Sequence, residues 1–449
     1  RRKVLAGTLG KGLVLLPGNF DSPLNYGANI YPFRQDSTFL YYLGLKQPGL
    51  AAVINTETGK TLLFGKEASI EDTIWSGYQL TLGEMAVKSG IDGVKSLTNL
   101  PESLNLKSGQ KLHFLPQYRA KNLQQLSELL NLTPADVEKN SSRKLIEAVV
   151  SQRAIKSSLE IKEIESALEV TSGMHLKAMK ITEAGLAERE IAGIIEGFAL
   201  ALGRRQAYPI IFTKHGEILH NKSYHNILMT GDLVLMDAGA ESSQGYASDI
   251  TRTFPVNGKF SLKQREIYEL VLEMQEKAIG LCSPGIPFLD IHLAAARIAV
   301  SGLKELGLMR GDADEAVARG AHALFFPHGL GHMLGLDVHD MENFGEDHIG
   351  YNDSFKRNRQ FGLNNLRLAK PLEEGNVITV EPGLYFIPSL IKIWKQKHKL
   401  AEFINYSKLE KYLDFGGIRI EDNITILNQG CRVLGKPIPK TVDAVEEAS

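Results

Sequence analysis

Cysteine is almost absent: Cys282 and Cys431 are the only two in 449 residues. Two thiols cannot build the disulfide framework on which small secreted scaffolds depend, and the count fits a reducing, cytoplasmic compartment. No run of about 18 apolar residues occurs, which excludes a conventional membrane-spanning helix. Net charge is missing too. The 51 basic and 52 acidic residues leave −1, so there is no electrostatic case for nucleic acid or an anionic membrane as partner. No Gly-rich loop follows a strand pattern in the first part of the chain, which argues against a dinucleotide site. Short-period repeats and low-complexity segments are absent as well. The chain opens on Arg1-Arg2 without a Met, so a leader ahead of residue 1 stays open.

What is there is an ordinary globular composition, 43% hydrophobic and 23% charged. The length favours two domains. Apolar runs at 12–18, 49–66 and 111–117 read as strands, the middle one a hairpin turning at residues 56–59. Helical patterns cover 121–130 and 143–155. From about residue 157 the texture changes. A long amphipathic helix begins with Ser158 as its expected N-cap and Glu160 in its first turn. Further helices are expected at 186–203, ended by Gly203, at 262–282, and as one or two elements over 287–308. The expected division is an N-terminal α/β domain over 1–157 and a second domain over 158–449.

The second domain carries the chemistry. "FFPHGLGHMLGLDVHD" (325–340) places His328, His332 and His339 among glycines and leucines. Pro327, Gly329, Gly331 and Gly335 disfavour a helix, so an extended path passing close to other backbone is expected. A buried histidine is commonly a hydrogen-bonded core residue, and this stretch alone does not decide. Four carboxylates at the ends of apolar strands add weight, because a charge there is costly unless paired or bound to metal. Asp237 and Asp249 lie in "DLVLMDAGAESSQGYASDITRTF" (232–254); a hairpin pivoting near Ser243 would set them opposite each other. Glu381 ends the strand of "NVITVEPGLYF". In "GGIRIEDN", read as one strand, a period of two puts Arg419 and Glu421 on one face. Taken singly, each acid could be a turn cap or an ion-pair partner. Together, four carboxylates and an imidazole are too anionic for one structural zinc and suit two divalent ions. Such a pair points to metal-assisted hydrolysis.

The ordered blocks "DAG…SDITRTF", "HGLGHMLGLDVHD", "TVEPGLYF" and "GGIRIED" resemble the aminopeptidase P and prolidase branch of the pita-bread metallopeptidases. "FRQDSTFLYYLGL" (33–45) resembles that branch's N-terminal domain more loosely. The resemblance implies an α/β (α+β) protein, with a creatinase/prolidase-like N-terminal domain before a pita-bread catalytic domain. It implies metal ligation by Asp237, Asp249, His332, Glu381 and Glu421, with Asp249 and Glu421 bridging. Glu381 would also move protons. His220 would face substrate, His328 and His339 would hold substrate and oxyanion, and Arg419 would orient ligands. The cofactor implied is two divalent ions, Mn²⁺ first, with Co²⁺ or Zn²⁺ as substitutes.

The reaction implied is hydrolysis of the bond preceding proline at the N-terminus of a peptide, an Xaa-Pro aminopeptidase. The alternative is an Xaa-Pro dipeptidase. The long segment after His339 has the prolidase style, and Arg367 matches that family's arginine for the substrate carboxylate. The arginine of the shorter version is replaced, with His348 near its position. Trp75 is a candidate pocket residue, because the aromatic there in relatives comes from a neighbouring subunit; a homodimer or higher oligomer is therefore expected. A non-catalytic binding module on the same fold predicts substitutions at the five ligand positions, and all five are intact.

Overall fold

Apolar residues fill both faces of the first strands, and this sets the architecture of the N-terminal part. The computed structural model describes residues 1–449. One unit comprises Arg1–Arg153 together with Met341–His348; the other comprises Ala154–Asp340 and Ile349–Ser449. In the first unit the strands are β1 (Gly12–Pro17), β2 (Pro23–Tyr26), β3 (Asn29–Ile30), β4 (Ala51–Asn55), β5 (Thr61–Gly65), β6 (Gly93–Ser96) and β7 (Lys111–His113). Five of them form a mixed sheet in the order β6-β5-β4-β1-β7, and β2 and β3 form a separate hairpin. Leu13, Leu15, Val53 and Phe64 pack on one face with Leu126 from the helix Ala120–Leu130 and with Val137. The expected hairpin is present, with Ala51 opposite Phe64 and Ile54 opposite Thr61. Its turn is held by the Asn55 side chain, which accepts from the amides of Glu57 and Thr58.

The second unit is built twice over from a helix pair followed by antiparallel strands. The helices are Ser158–Ile181 with Glu188–Ala201, then Leu262–Leu281 with Phe288–Glu305. Gly185 (φ +95°) and Gly285 (φ +83°) occupy equivalent turns within the two pairs, in the left-handed region that favours glycine. The first helix is capped one residue earlier than expected. Ser157, not Ser158, is the N-cap, because Glu160 three residues on accepts from the Ser157 amide at 3.0 Å and completes a capping box. Gly203 follows the second helix with φ +69°, and 288–305 is a single helix.

The strands are β8 (Ile211–Thr213), β9 (Leu233–Ala238), β10 (Ile250–Pro255), β11 (Val377–Val380), β12 (Gly383–Tyr385), β13 (Gly417–Arg419), β14 (Asp422–Ile426) and β15 (Cys431–Val433). They form sheets β10-β9-β8 and β11-β14-β15 and the pair β12-β13. Two sequence expectations change here. Asp237 lies opposite Thr251, not Asp249, since the hairpin tip sits one residue beyond Ser243: Glu241 bridges Ala247 and the Ser242 hydroxyl accepts from the Gln244 and Tyr246 amides. The two acids are therefore diagonal neighbours. "GGIRIEDN" is two strands, β13 in one sheet and β14 in another, and the chain changes partner at Ile420-Glu421. No helix is long and apolar enough to cross a membrane.

Candidate metal centre

The histidine segment runs as an irregular strap over β11. A Cβ on Gly331 would sit 2.1 Å from the Thr379 carbonyl oxygen, so a side chain there would force the strap off the strand. The strap is fastened on both sides of this point. The His332 amide donates to Thr379 Oγ1 at 3.1 Å, the Thr379 amide to the His332 carbonyl at 3.0 Å, and the Leu334 amide to Val377 at 2.9 Å. The His332 ring is thereby fixed in tautomer as well as place. Nδ1–H donates to the Met333 carbonyl at 3.0 Å, which leaves the Nε2 lone pair facing outward. That lone pair lies 3.3 Å from Asp249 Oδ2 and 3.5 Å from Glu381 Oε1. One ring nitrogen and two carboxylate oxygens this close together form a donor set suited to a cation.

The carboxylates arrive from four places. Asp249 immediately precedes β10, and its backbone is clamped by the Asn423 side chain, which accepts from the amide and donates to the carbonyl. Glu381 follows β11, with its amide donating to Leu330 at 2.8 Å. Glu421 lies at the junction of β13 and β14; Thr251 donates to its Oε2 at 2.6 Å, while its Oε1 is buried without a partner. Asp237, in β9, accepts from Arg419 Nη2 at 2.6 Å and from Tyr208 at 2.7 Å. Ligand atoms of Asp249, His332 and Glu421 all fall within 4.8 Å of one another.

Crowding decides the electrostatics. Burial, reinforced by Asp237, raises the Asp249 carboxyl to about 7. Burial also raises Glu381, and burial with the charges of Asp249 and Glu381 raises Glu421 well above the usual carboxylate range. The Tyr208 hydroxyl contacts both Asp237 Oδ1 and Asp249 Oδ1, the latter at 2.5 Å, yet it has one proton to give. Protons on the acids relieve the crowding when no other cation is present. Divalent cations relieve it better, because they leave every carboxylate ionised and satisfy the orphaned Glu421 oxygen. The donor set, oxygen-rich with one imidazole, fits such ions.

The remaining residues divide between the units. His328 donates from Nδ1 to the Gly329 carbonyl at 2.8 Å, and its Nε2 lies 2.8 Å from the Tyr385 hydroxyl. That hydroxyl accepts from Arg419 Nη1 at 3.0 Å, so a chain runs Arg419–Tyr385–His328. Burial, then the Arg419 charge, lowers His328 to about 3 and lowers His220 as well. The His339 ring centre lies 4.2 Å from that of His332. Arg367 is near enough for its charge to act on both His220 and His328. The loop carrying His220 is held at both ends by Glu188, which is fully buried and accepts from the Lys214 amide and the Asn226 side chain, each at 2.9 Å. Trp75 lies in the N-terminal unit on the helix Ile70–Ser76, 82% exposed, and His348 groups with that unit too.

Several residues around the centre carry little signal in the sequence. Tyr208 precedes β8 in no recognisable pattern. Thr251 and Tyr385 were in plain sight within "SDITRTF" and "EPGLYF", where their alternation with the acids was the available signal.

Residues 162–428 match the model of metallopeptidase family M24, and residues 1–114 match the aminopeptidase P N-terminal domain. The chain belongs to metallopeptidase family M24. Within that family, a probable Xaa-Pro aminopeptidase of Fusarium vanettenii is 35% identical over 438 residues, 97% of this chain and 91% of the relative. Escherichia coli aminopeptidase P, solved with the inhibitor Pro-Leu, superposes with a TM-score of 0.80 at 32% identity, covering 100% of this chain and 96% of that one. A zinc-substituted form of the same enzyme in complex with product matches with the same TM-score of 0.80. Family M24 membership makes the chain a metallopeptidase, with a pita-bread catalytic domain following an aminopeptidase P N-terminal domain, as the sequence motifs implied.

Proposed function

We propose that this chain is a metal-dependent Xaa-Pro aminopeptidase, releasing the residue that precedes proline at the N-terminus of a peptide. The carrying observation is the buried cluster of Asp249, His332 and Glu421, whose Glu421 oxygen lacks any protein partner. Relatives along nearly the whole chain support the substrate class. Asp237, Asp249, His332, Glu381 and Glu421 are the proposed ligands, for two divalent ions with Mn²⁺ preferred by the oxygen-rich set. When bound, such ions supply an ionised water at neutral pH and polarise the scissile carbonyl.

The chain's own residues do the rest. Glu381 sits at the mouth of the cluster beside His332. It accepts a proton from the attacking water and delivers one to the proline nitrogen, which has no N–H and leaves only as the protonated amine. His328 has its N–H committed to the Gly329 carbonyl and its other nitrogen facing Tyr385. The oxyanion contact is therefore assigned to His339. Arg419 holds Asp237 and Tyr385 and so orients one ligand and one substrate-facing imidazole together. His220 contacts the peptide. Trp75 and His348 are pocket candidates, with Trp75 reaching a neighbouring subunit's pocket in a homodimer. Two free cysteines favour a cytoplasmic setting.

Arg367 favours a second reading, an Xaa-Pro dipeptidase, because a cation beside His220 and His328 suits a substrate's free carboxylate. The experiment is Mn²⁺-loaded hydrolysis of an Xaa-Pro dipeptide beside an Xaa-Pro-Xaa tripeptide, with and without chelator. Chelator-sensitive cleavage of the tripeptide between Xaa and Pro is expected. Cleavage of the dipeptide alone replaces the aminopeptidase with the dipeptidase, and cleavage of neither removes both. Asp237→Ala is expected to abolish turnover while the far-ultraviolet circular dichroism is kept; turnover in a metal-free Asp237→Ala preparation would sink the metal mechanism.

A further inference from the structure

The chain's two cysteines are distant in sequence and neighbours in space. Cys282 caps the helix Leu262–Leu281, and Cys431 opens β15. Each sulfur lies 3.3 Å from a carbonyl in the last turn of that helix, Cys282 Sγ from Ala278 and Cys431 Sγ from Ile279. These carbonyls are consecutive, so both thiols sit on one helical turn. The flanking residues meet as well: the Gly430 amide donates to Ser283 Oγ at 3.2 Å. The two thiols are near enough for each to shift the other's pKa.

Burial explains only half of this. Cys282 is 1% exposed and packs as a small apolar side chain would. Cys431 is half-buried on an edge strand whose next two residues are exposed, where no core has to be filled. We propose that Cys282 and Cys431 form a reversible thiol–disulfide pair, which a low-molecular-weight disulfide closes to a bond tying the end of helix Leu262–Leu281 to the β14–β15 hairpin.

The pair is chemically asymmetric in the way such closure requires. The neighbouring Cys282 thiol lowers the Cys431 pKa, while the proximity of Cys431 and burial raise Cys282. Cys431 is therefore both the accessible sulfur and the better thiolate. With glutathione disulfide, the Cys431 thiolate attacks one sulfur, the glutathione S–S bond breaks, and one glutathione leaves as its thiolate. That thiolate takes the Cys282 proton, and the Cys282 sulfur attacks the mixed disulfide on Cys431 and expels the second glutathione, which takes up a proton from solvent. Two protein thiols are oxidised and one glutathione disulfide is reduced to two thiols.

The test uses the full-length, metal-loaded chain incubated with glutathione disulfide, then denatured and alkylated. Loss of both alkylatable thiols is expected, with an intact mass lower by two hydrogens and one cross-linked Cys282–Cys431 peptide in a non-reducing digest. Dithiothreitol should restore both thiols. Cys431→Ser should keep Cys282 alkylatable throughout, and Cys282→Ala should leave a glutathionyl group stranded on Cys431. The proposal is overturned if both wild-type thiols remain alkylatable, if Cys431 retains glutathione beside a free Cys282, or if the cross-link joins two chains.

Discussion

Tyr208 and Tyr385 are the two side chains on which the arrangement of the centre turns. Tyr208 touches Asp237 and Asp249 with one hydroxyl and so bridges two carboxylates that otherwise repel each other. Loss of a group that orients metal ligands costs about 10–100-fold in affinity or activity. Tyr208→Phe is therefore expected to weaken Mn²⁺ binding by about that factor in a calorimetric titration, with the fold retained. Unchanged affinity would mean that the backbone alone spaces the acids. Tyr385 acts differently, since its hydroxyl joins Arg419 to His328 and touches no proposed ligand. Tyr385→Phe is expected to lower kcat by about 10–100-fold, the equivalent of one hydrogen bond to a charged group, at unchanged metal content. A fall in bound metal would place Tyr385 among the residues holding the centre instead.

At the scale of elements, the strap over β11 is the piece most exposed to a single change. The Cβ of Gly331→Ala would meet backbone, which has no rotamer to yield. Overpacking of this kind costs about 1–3 kcal/mol, and here the displacement carries His332 with it. The expected outcome is a lower urea midpoint together with lost metal affinity. A destabilised variant that still bound metal normally would show that the strap can shift without moving the ring. The strap's character was legible in advance, because three glycines and a proline around a histidine indicate backbone held against backbone. The acids were legible for a related reason: a carboxylate at the end of "LVLM" or "VITV" is costly unless a cation or hydrogen-bond donors meet it, whatever the fold. Register was not legible. A two-residue offset between Asp237 and Asp249 depends on how Ser242 and Gly245 close the hairpin tip, and the apolar alternation on either side is the same for both registers. Nor could spacing reveal that residues 341–348 leave the second unit and group with the first.

At the scale of the whole molecule, the catalytic unit stores uncharged histidines in its interior, and this sets how it responds to acid. His292 and His322 lie with ring centres 6.2 Å apart, His292 also 5.0 Å from Phe326, and no ring nitrogen of either has a protein partner. Burial lowers His292 to about 3 and His322 to about 4, with His322 as a further cause for His292. Both values lie below the ordinary 6.5 of an unfolded chain, so between them the unfolded state binds more protons. Their contribution to stability is complete above pH 6.5 and is lost as the pH falls toward 4. At pH 5 each is expected to cost about 2 kcal/mol, from 1.36 kcal/mol per unit of displacement. The measurement is the urea midpoint of metal-free protein at pH 7.5 and at pH 5.0, for wild type and for His322→Gln. Working without metal removes the acid release of bound ions from the comparison. The drop between the two pH values should be smaller in His322→Gln, because one of the sites that take up protons on unfolding is gone. The raised acids of the centre act with the opposite sign, but they are present in both proteins and cancel in the difference. Equal drops would mean that His322 takes up its proton without unfolding, through water reaching the ring in the folded state.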